Sequence, residues 1–269
     1  MKSKFNKAFM YIFLILVSIL CIFPFIWMLI STTNLSKDIT LGKMTIGAEL
    51  LNNFRRLSEM VDLRQVLFNS SKIAIIVTIV AIVVCSMAGY GFEMYRSKYK
   101  NYLFILLLVS MMLPFSAMMI PLFKMFSKMG LLNTHIAVII PGIATAFLIF
   151  FFRQSNKTFP RELMEAARID GLNEVQIFFK VYMTSMKSTF SAAAIITFMA
   201  SWNGFLWPLI VLQSPDKKTL PLVISSLSSA YQPDYGVIMA AILISVIPTV
   251  LIFFLLQKNF VEGMVGSVK

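Results

Sequence analysis

PRELMEAARIDGLNEVQIFFKVYMTSMK, residues 160–187, is the one long charge-rich stretch lying between apolar runs that is still patterned as packed helix. Two short helices read out of it. Pro160 suits a first helical position, where its missing N–H costs nothing. Residues 161–169 are mostly good helix formers, and Gly171 stands where a helix end wants a left-handed residue. Asn173, with Gln176 three residues on, has the spacing of a cap for a second helix. At 100° per residue Leu163, Ala166, Ala167 and Asp170 share one side of the first helix, with Arg161, Glu165 and Arg168 opposite. The alanine side is low and flat, so another surface can approach the backbone. Asp170 opposes the macrodipole at a helix C-terminus unless its carboxylate meets the next helix N-terminus or a basic partner. An interfacial amphipathic loop of a multi-pass protein fits this pattern equally well.

What surrounds the stretch is membrane-spanning. Hydrophobic residues make up 58% of the 269 and mean hydropathy is +0.82, which places the chain among integral membrane proteins. A net charge of +12 would suggest nucleic acid in a soluble chain. Here it follows from loops beside anionic lipid, and no nucleic-acid partner is expected. Six apolar runs are legible, at about 8–30, 68–90, 102–123, 136–152, 189–212 and 237–256. The first is too long for a signal-peptide core and lacks a small-residue cleavage site, so it reads as a retained span. Pro114 and Pro121 in the third run, and Pro141–Gly142 in the fourth, mark kinks that need backbone rescue from neighbouring helices. Small residues Ser86, Ala88, Gly89 and Gly91 at the inner end of the second allow a close helix contact. Polar residues 31–67 form an outer loop with a short helix near 50–60.

Six spans put both termini on one side. Fourteen of the 24 Lys and Arg fall on that side and ten on the other, with six acidic residues each. The bias places both termini, and EAARIDG (165–171), in the cytoplasm.

The chemistry absent from the sequence narrows the function. Acidic residues are missing from the middles of the spans, which disfavours a proton-coupled carrier. No G-x-x-x-x-G-K-[ST] is present, so the chain does not itself hydrolyse ATP. The two cysteines, Cys21 and Cys85, sit inside different apolar runs and suggest neither a disulfide nor a metal site. His135 beside Thr134 reads as a solvated span end. There is no G-x-S-x-G and no H-E-x-x-H, so an intramembrane enzyme is disfavoured. What remains is a polar and aromatic stripe in the fifth span: Thr197, Ser201, Trp202 and Asn203, then Trp207–Pro208. An indole stacks on a sugar ring while hydroxyls and amides bond its rim, so this stripe is a candidate substrate pathway. A second reading of equal weight makes Asn203 a link between helices and Trp207 an interfacial anchor.

Several stretches resemble the membrane subunits of binding-protein-dependent ABC importers, in the carbohydrate-type group that contains the maltose-type second permease. They are FPFIWMLIST (23–32), GLLNT (130–134), FPRELMEAARIDG (159–171), WNGFLWP (202–208), TLPL (219–222) and QKNFVEGMVGSVK (257–269). The resemblance covers nearly the whole chain and is weakest in the first outer loop.

It implies an all-α membrane protein with a type I ABC importer permease fold. A single six-span domain would run over residues 1–269, with a cytoplasmic coupling loop at 153–188 and an outer loop at 31–67. Arg161, Glu165, Ala166, Ala167, Asp170 and Gly171 would contact a cleft on a separate ATPase subunit. The expected partners are a homologous permease subunit, two cytoplasmic ATPase subunits, an extracellular solute-binding protein, membrane lipid and a sugar, with an oligosaccharide favoured. No cofactor is expected on this chain, because ATP and Mg belong to the ATPase subunits. The expected location is the bacterial plasma membrane. A self-sufficient ion-coupled transporter is the alternative. The chain departs from the family pattern in two places. Gly204 stands where Asp is usual, and Thr184 where a proline usually ends the second loop helix, so a softer break is expected there.

Overall fold

A computed structural model describes residues 2–95 and 97–266. Arg96 of the expected inner turn and residues 267–269 of the matching tail lie outside it. The described residues contain helices and no strand. In chain order the helices are α1 (Lys2–Thr32), α2 (Ser36–Thr40), α3 (Leu50–Met60), α4 (Leu63–Met94), α5 (Lys100–Ser110), α6 (Phe115–Lys128), α7 (His135–Ile143) and α8 (Ala146–Asn156). Then follow α9 (Glu162–Ile169), α10 (Glu174–Gln176), a π-helical segment (Ile177–Tyr182), α11 (Met183–Ser185), α12 (Lys187–Trp202), α13 (Leu206–Val211), α14 (Leu220–Ser228) and α15 (Tyr235–Gly266). Five stretches are long and apolar enough to cross a membrane, and the α5–α6 pair supplies a sixth if counted as one span.

The chain divides into two compact units. One holds the chain up to Leu63 together with Val223–Ile247. In it Asn53, fully buried on α3, donates to the carbonyls of Thr32 at 2.8 Å and Asn34 at 3.0 Å. Leu57, one turn on, packs against Val237, Ala240 and Ala241 of α15. Arg56 pairs with Asp234, whose other oxygen accepts from the first amides of α15 at Gly236 and Val237. That satisfies donors a helix start leaves open. The short helix expected near 50–60 is thus the wedge of this unit.

The second unit holds Arg64–Leu222 and the chain from Pro248 onward. Its spine is α4. Near the C-terminal end of α4, a Cβ on Gly89 would lie 2.6 Å from Cβ of Phe152 and 2.8 Å from the amide of Arg153. Only glycine permits this approach of α4 to α8. Gly91 meets nothing within 4 Å, so of the small-residue cluster it is Gly89 that makes the contact.

Three of the expected spans are interrupted, the third and fourth near the prolines that mark their kinks. The third is two helices bent by 98°. Pro114 starts α6 and disfavours helical backbone at Leu113, so α5 closes through three-residue turns at Met111, Met112 and Leu113. The fourth breaks at Ala144, three residues after Pro141. A proline frees the carbonyl four residues earlier, here Ala137, and the buried indole of Trp207 donates to that oxygen at 2.8 Å. Trp207 is therefore the rescue of a broken helix rather than an interfacial anchor, and it also lines a cavity beside the break. Cys85 serves the same break, with Sγ 3.5 Å from the carbonyl of Ile143. The fifth span breaks at Asn203–Phe205, between α12 and α13.

His135, expected to be solvated, is half-buried with Nε2 3.0 Å from the carbonyl of Lys217. It opens α7, whose Thr134 cap accepts from Ala137 N.

Candidate functional site

The loop after α8 builds its shape from backbone rules. α9 begins at Glu162 with Arg161 as its cap, so Pro160 lies outside the helix rather than at its first position. At the other end Gly171 has φ +81°. Its amide bonds to Arg168 O and that of Leu172 to Ala167 O, the paired bonds that close a helix on a left-handed glycine. Asn173 Oδ1 then accepts from Gln176 N at 2.9 Å while Gln176 Oε1 accepts from Asn173 N at 3.0 Å. This reciprocal cap starts α10 as its spacing predicts. The π-helical turn that follows had no sequence signal. The chain leaves helical geometry at Met186, with φ −102° and ψ 27°, although Thr184 replaces the family's proline.

The alanine face is split. Ala167 is buried with Met164 against Tyr90, Phe159, Ile177, Phe178 and Tyr182, while Ala166 stays exposed between Leu163 and Ile169. Ile169 is 86% exposed. Ala167 therefore seats α9, and the free surface consists of Leu163, Ala166, Ile169 and Asp170. Glu165 is exposed as well. Among the described residues the Asp170 carboxylate has no ion-pair partner, so neither resolution expected for its position is met within the chain.

Ion pairs missed by the sequence reading hold the loop to α4. Glu93, near the end of α4, has one carboxylate oxygen 3.5 Å from Arg153 Nε and the other 3.6 Å from Arg161 Nη2. The Arg153 guanidinium also lies 3.7 Å from the Phe104 ring centroid, a cation–π geometry. Farther along, Glu174 accepts from Arg168 Nε at 2.8 Å and from the Tyr95 hydroxyl at 2.6 Å. The Arg168 hydrogen bond, then that of Tyr95, holds the Glu174 carboxyl below its ordinary range. Partial burial, then the bond to Glu174, pushes the Tyr95 phenol up to about 12.

A cavity of about 490 Å³ opens in the same unit beside the breaks in the fourth and fifth spans. Its wall includes Val77, Phe115, Thr145, Thr197, Ser201 and Gly204, and no ionisable side chain. Thr197 and Ser201 thus share one space. Trp202 does not line it: the ring is buried and stacked on Phe198 at 5.8 Å. Asn203 is also outside the wall, exposed, its Nδ2 donating to Met199 O at 2.9 Å to finish α12. At Gly204 a Cβ would stand 3.0 Å from Ser201 O, so the aspartate usual at this place would need the turn to shift. Among the described residues no three His, Cys, Asp or Glu are grouped to hold a metal ion.

A multi-pass helical protein with interrupted spans, a cavity at the interruptions and an exposed helical loop at one end has the parts of a solute permease. Residues 81–266 match the family model described as binding-protein-dependent transport system inner membrane component, and the chain belongs to that family. It is 52% identical to the lactose transport system permease protein LacG of Rhizobium radiobacter, across 100% of this chain and 98% of that one. It is 36% identical to the arabinooligosaccharides transport system permease protein AraQ of Halalkalibacterium halodurans, across 94% and 93%. A crystal structure of a bacterial ABC transporter involved in the import of the acidic polysaccharide alginate has a chain of the same fold. The TM-score is 0.85 at 19% identity, covering 96% of this chain and 98% of that one. The protein is thus a multi-pass inner-membrane permease component of an ABC importer.

Proposed function

We propose that this chain forms half of the translocation pathway of a sugar importer, with an oligosaccharide as the solute class. Relatives named for lactose and arabinooligosaccharides support the solute class. So does a cavity wall of hydroxyls, apolar groups and aromatic rings without charge. A homologous permease supplies the other half, a solute-binding protein delivers the sugar from outside, and two ATPase subunits use ATP and Mg in the cytoplasm. Both chain termini lie on the ATPase side.

The observation carrying this reading is the exposed apolar strip Leu163, Ala166 and Ile169 on α9, outside every span. Exposed apolar surface away from lipid marks a protein contact. Arg161, Glu165, Asp170 and Gly171 border that contact, and Ala167 supports it from beneath. The test is co-purification with the ATPase subunits of the same transport system. The native chain retains them, and Ala166→Glu, which adds charge and bulk to the strip, releases them. Solute uptake by this chain alone in ATP-free vesicles, driven by an ion gradient, would refute the proposal.

A further inference from the structure

We propose that Glu93 and Glu174 are positioning residues that fasten both ends of α9 to the inner end of α4, so that displacement of α9 is delivered to α4. This rests on the reading of α9 as the ATPase-facing element. The two attachments converge closely. Arg161, at the start of α9, meets Glu93. Arg168, in its last turn, reaches Tyr95 through the Glu174 carboxylate. Glu93 and Tyr95 flank Met94, the last residue of α4. An eight-residue helix is thus held at both ends to two residues, Glu93 and Tyr95, on either side of the last residue of α4. Its middle rests one turn earlier, where the Tyr90 hydroxyl lies 3.5 Å from Met164 Sδ.

From there α4 runs to the cavity through close contacts. Gly89 abuts α8, Cys85 reaches the carbonyl in the α7–α8 break, and Val77 faces Gly142 and the cavity wall. A body so connected moves as a unit, which is what delivery of motion between distant sites requires. The Arg168–Glu174 pair is exposed, and such pairs contribute little to folding. Its removal therefore leaves the protein folded and isolates its positioning role.

The experiment uses the assembled importer, with partner permease, ATPase subunits and binding protein, in lipid nanodiscs. The readout is the ratio of solute-stimulated to basal ATP hydrolysis. Glu174→Gln, Arg168→Glu and Glu93→Gln each lower the ratio about threefold or more, with subunit retention and basal hydrolysis unchanged. The double reversal Arg168→Glu/Glu174→Arg restores it, which a general loss of structure would not allow. A wild-type ratio in either glutamate variant overturns the proposal, as does a double reversal no better than its single variants. Ala166→Glu separates the two readings. If it releases the ATPase while the glutamate variants stay coupled, only the fastening fails; if it leaves the ATPase bound, the docking reading fails and the fastening with it.

Discussion

The Tyr182 hydroxyl donates to Asn156 Oδ1 at 2.6 Å, joining the π-helical turn to the last residue of α8 inside a buried core. Both side chains are almost wholly buried, and burial raises the Tyr182 phenol well above its ordinary range, so it stays a neutral donor. Removing the hydroxyl strands a buried acceptor, at a cost of about 1–3 kcal/mol. Tyr182→Phe is expected to lower the melting temperature of the purified protein. Tyr182→Phe with Asn156→Leu removes both polar groups and is expected to recover most of the loss.

Gly171→Ala tests the turn after α9 alone. At φ +81° a Cβ there meets nothing within 4 Å, so the cost is the left-handed backbone penalty of about 1–2 kcal/mol and no clash. Membrane insertion is expected to be normal for both Gly171→Ala and Gly171→Val. Transport and solute-stimulated ATP hydrolysis fall together, more steeply for valine, and the paired assay checks this.

The cavity makes neighbouring residues behave differently. Ser201→Phe projects a ring into the space shared with Thr197 and is expected to reduce uptake several-fold while retaining the partner subunits. Asn203→Ala removes a bond to Met199 O that only ends a helix, and uptake is expected to stay within about twofold of the native chain. Trp202→Ala opens a hole in the core at a cost of about 3–5 kcal/mol, so it is expected to lower the yield of folded protein. Uptake per folded molecule separates the three.

The pH response of the Arg168–Glu174–Tyr95 group has a definite sign. Glu174 is held below its ordinary 4.5, so its contribution is present above 4.5 and is lost as pH falls through the folded value. Tyr95 is raised from 10 to about 12, so its contribution is present below 10 and is lost on the way to 12. A nitroxide on Ile169→Cys, in a background without the native cysteines, is expected to show constant mobility across neutral pH. Mobility rises at both extremes, and the acid step disappears in Glu174→Gln. A step near pH 7 would contradict the assignment.

The expectations that came true were local ones. Asn173 and Gln176 sit three residues apart, and capping needs nothing else; Gly171 needs only its own backbone. Prolines marked where spans would yield but not how, since Pro114 bends its span by 98° while Pro141 exposes a carbonyl for Trp207. The freed carbonyl was legible, because Ala137 lies four residues before Pro141; its donor, Trp207, was not. The free face of α9 was not: Leu163 and Ala167 stand only about 40° apart around the helix, yet the tertiary partner buries Ala167 and leaves Leu163 exposed. Glu93 and Arg153 are sixty residues apart, and no periodicity announces such a pair. Ser201 and Trp202 are a different case. Ala200 and Ser201 both line the cavity while Trp202 is buried on Phe198, and only the tertiary packing decides which neighbours of Ser201 join it.

The six residues from Ile177 to Tyr182 close their hydrogen bonds one residue later than a regular helix does. In the wide turn Tyr182 comes round to the side of Ile177 and Phe178, and all three are buried together. Deleting one residue would close the ladder to the regular form and cost that alignment, so the number of residues in this stretch matters as much as their identity.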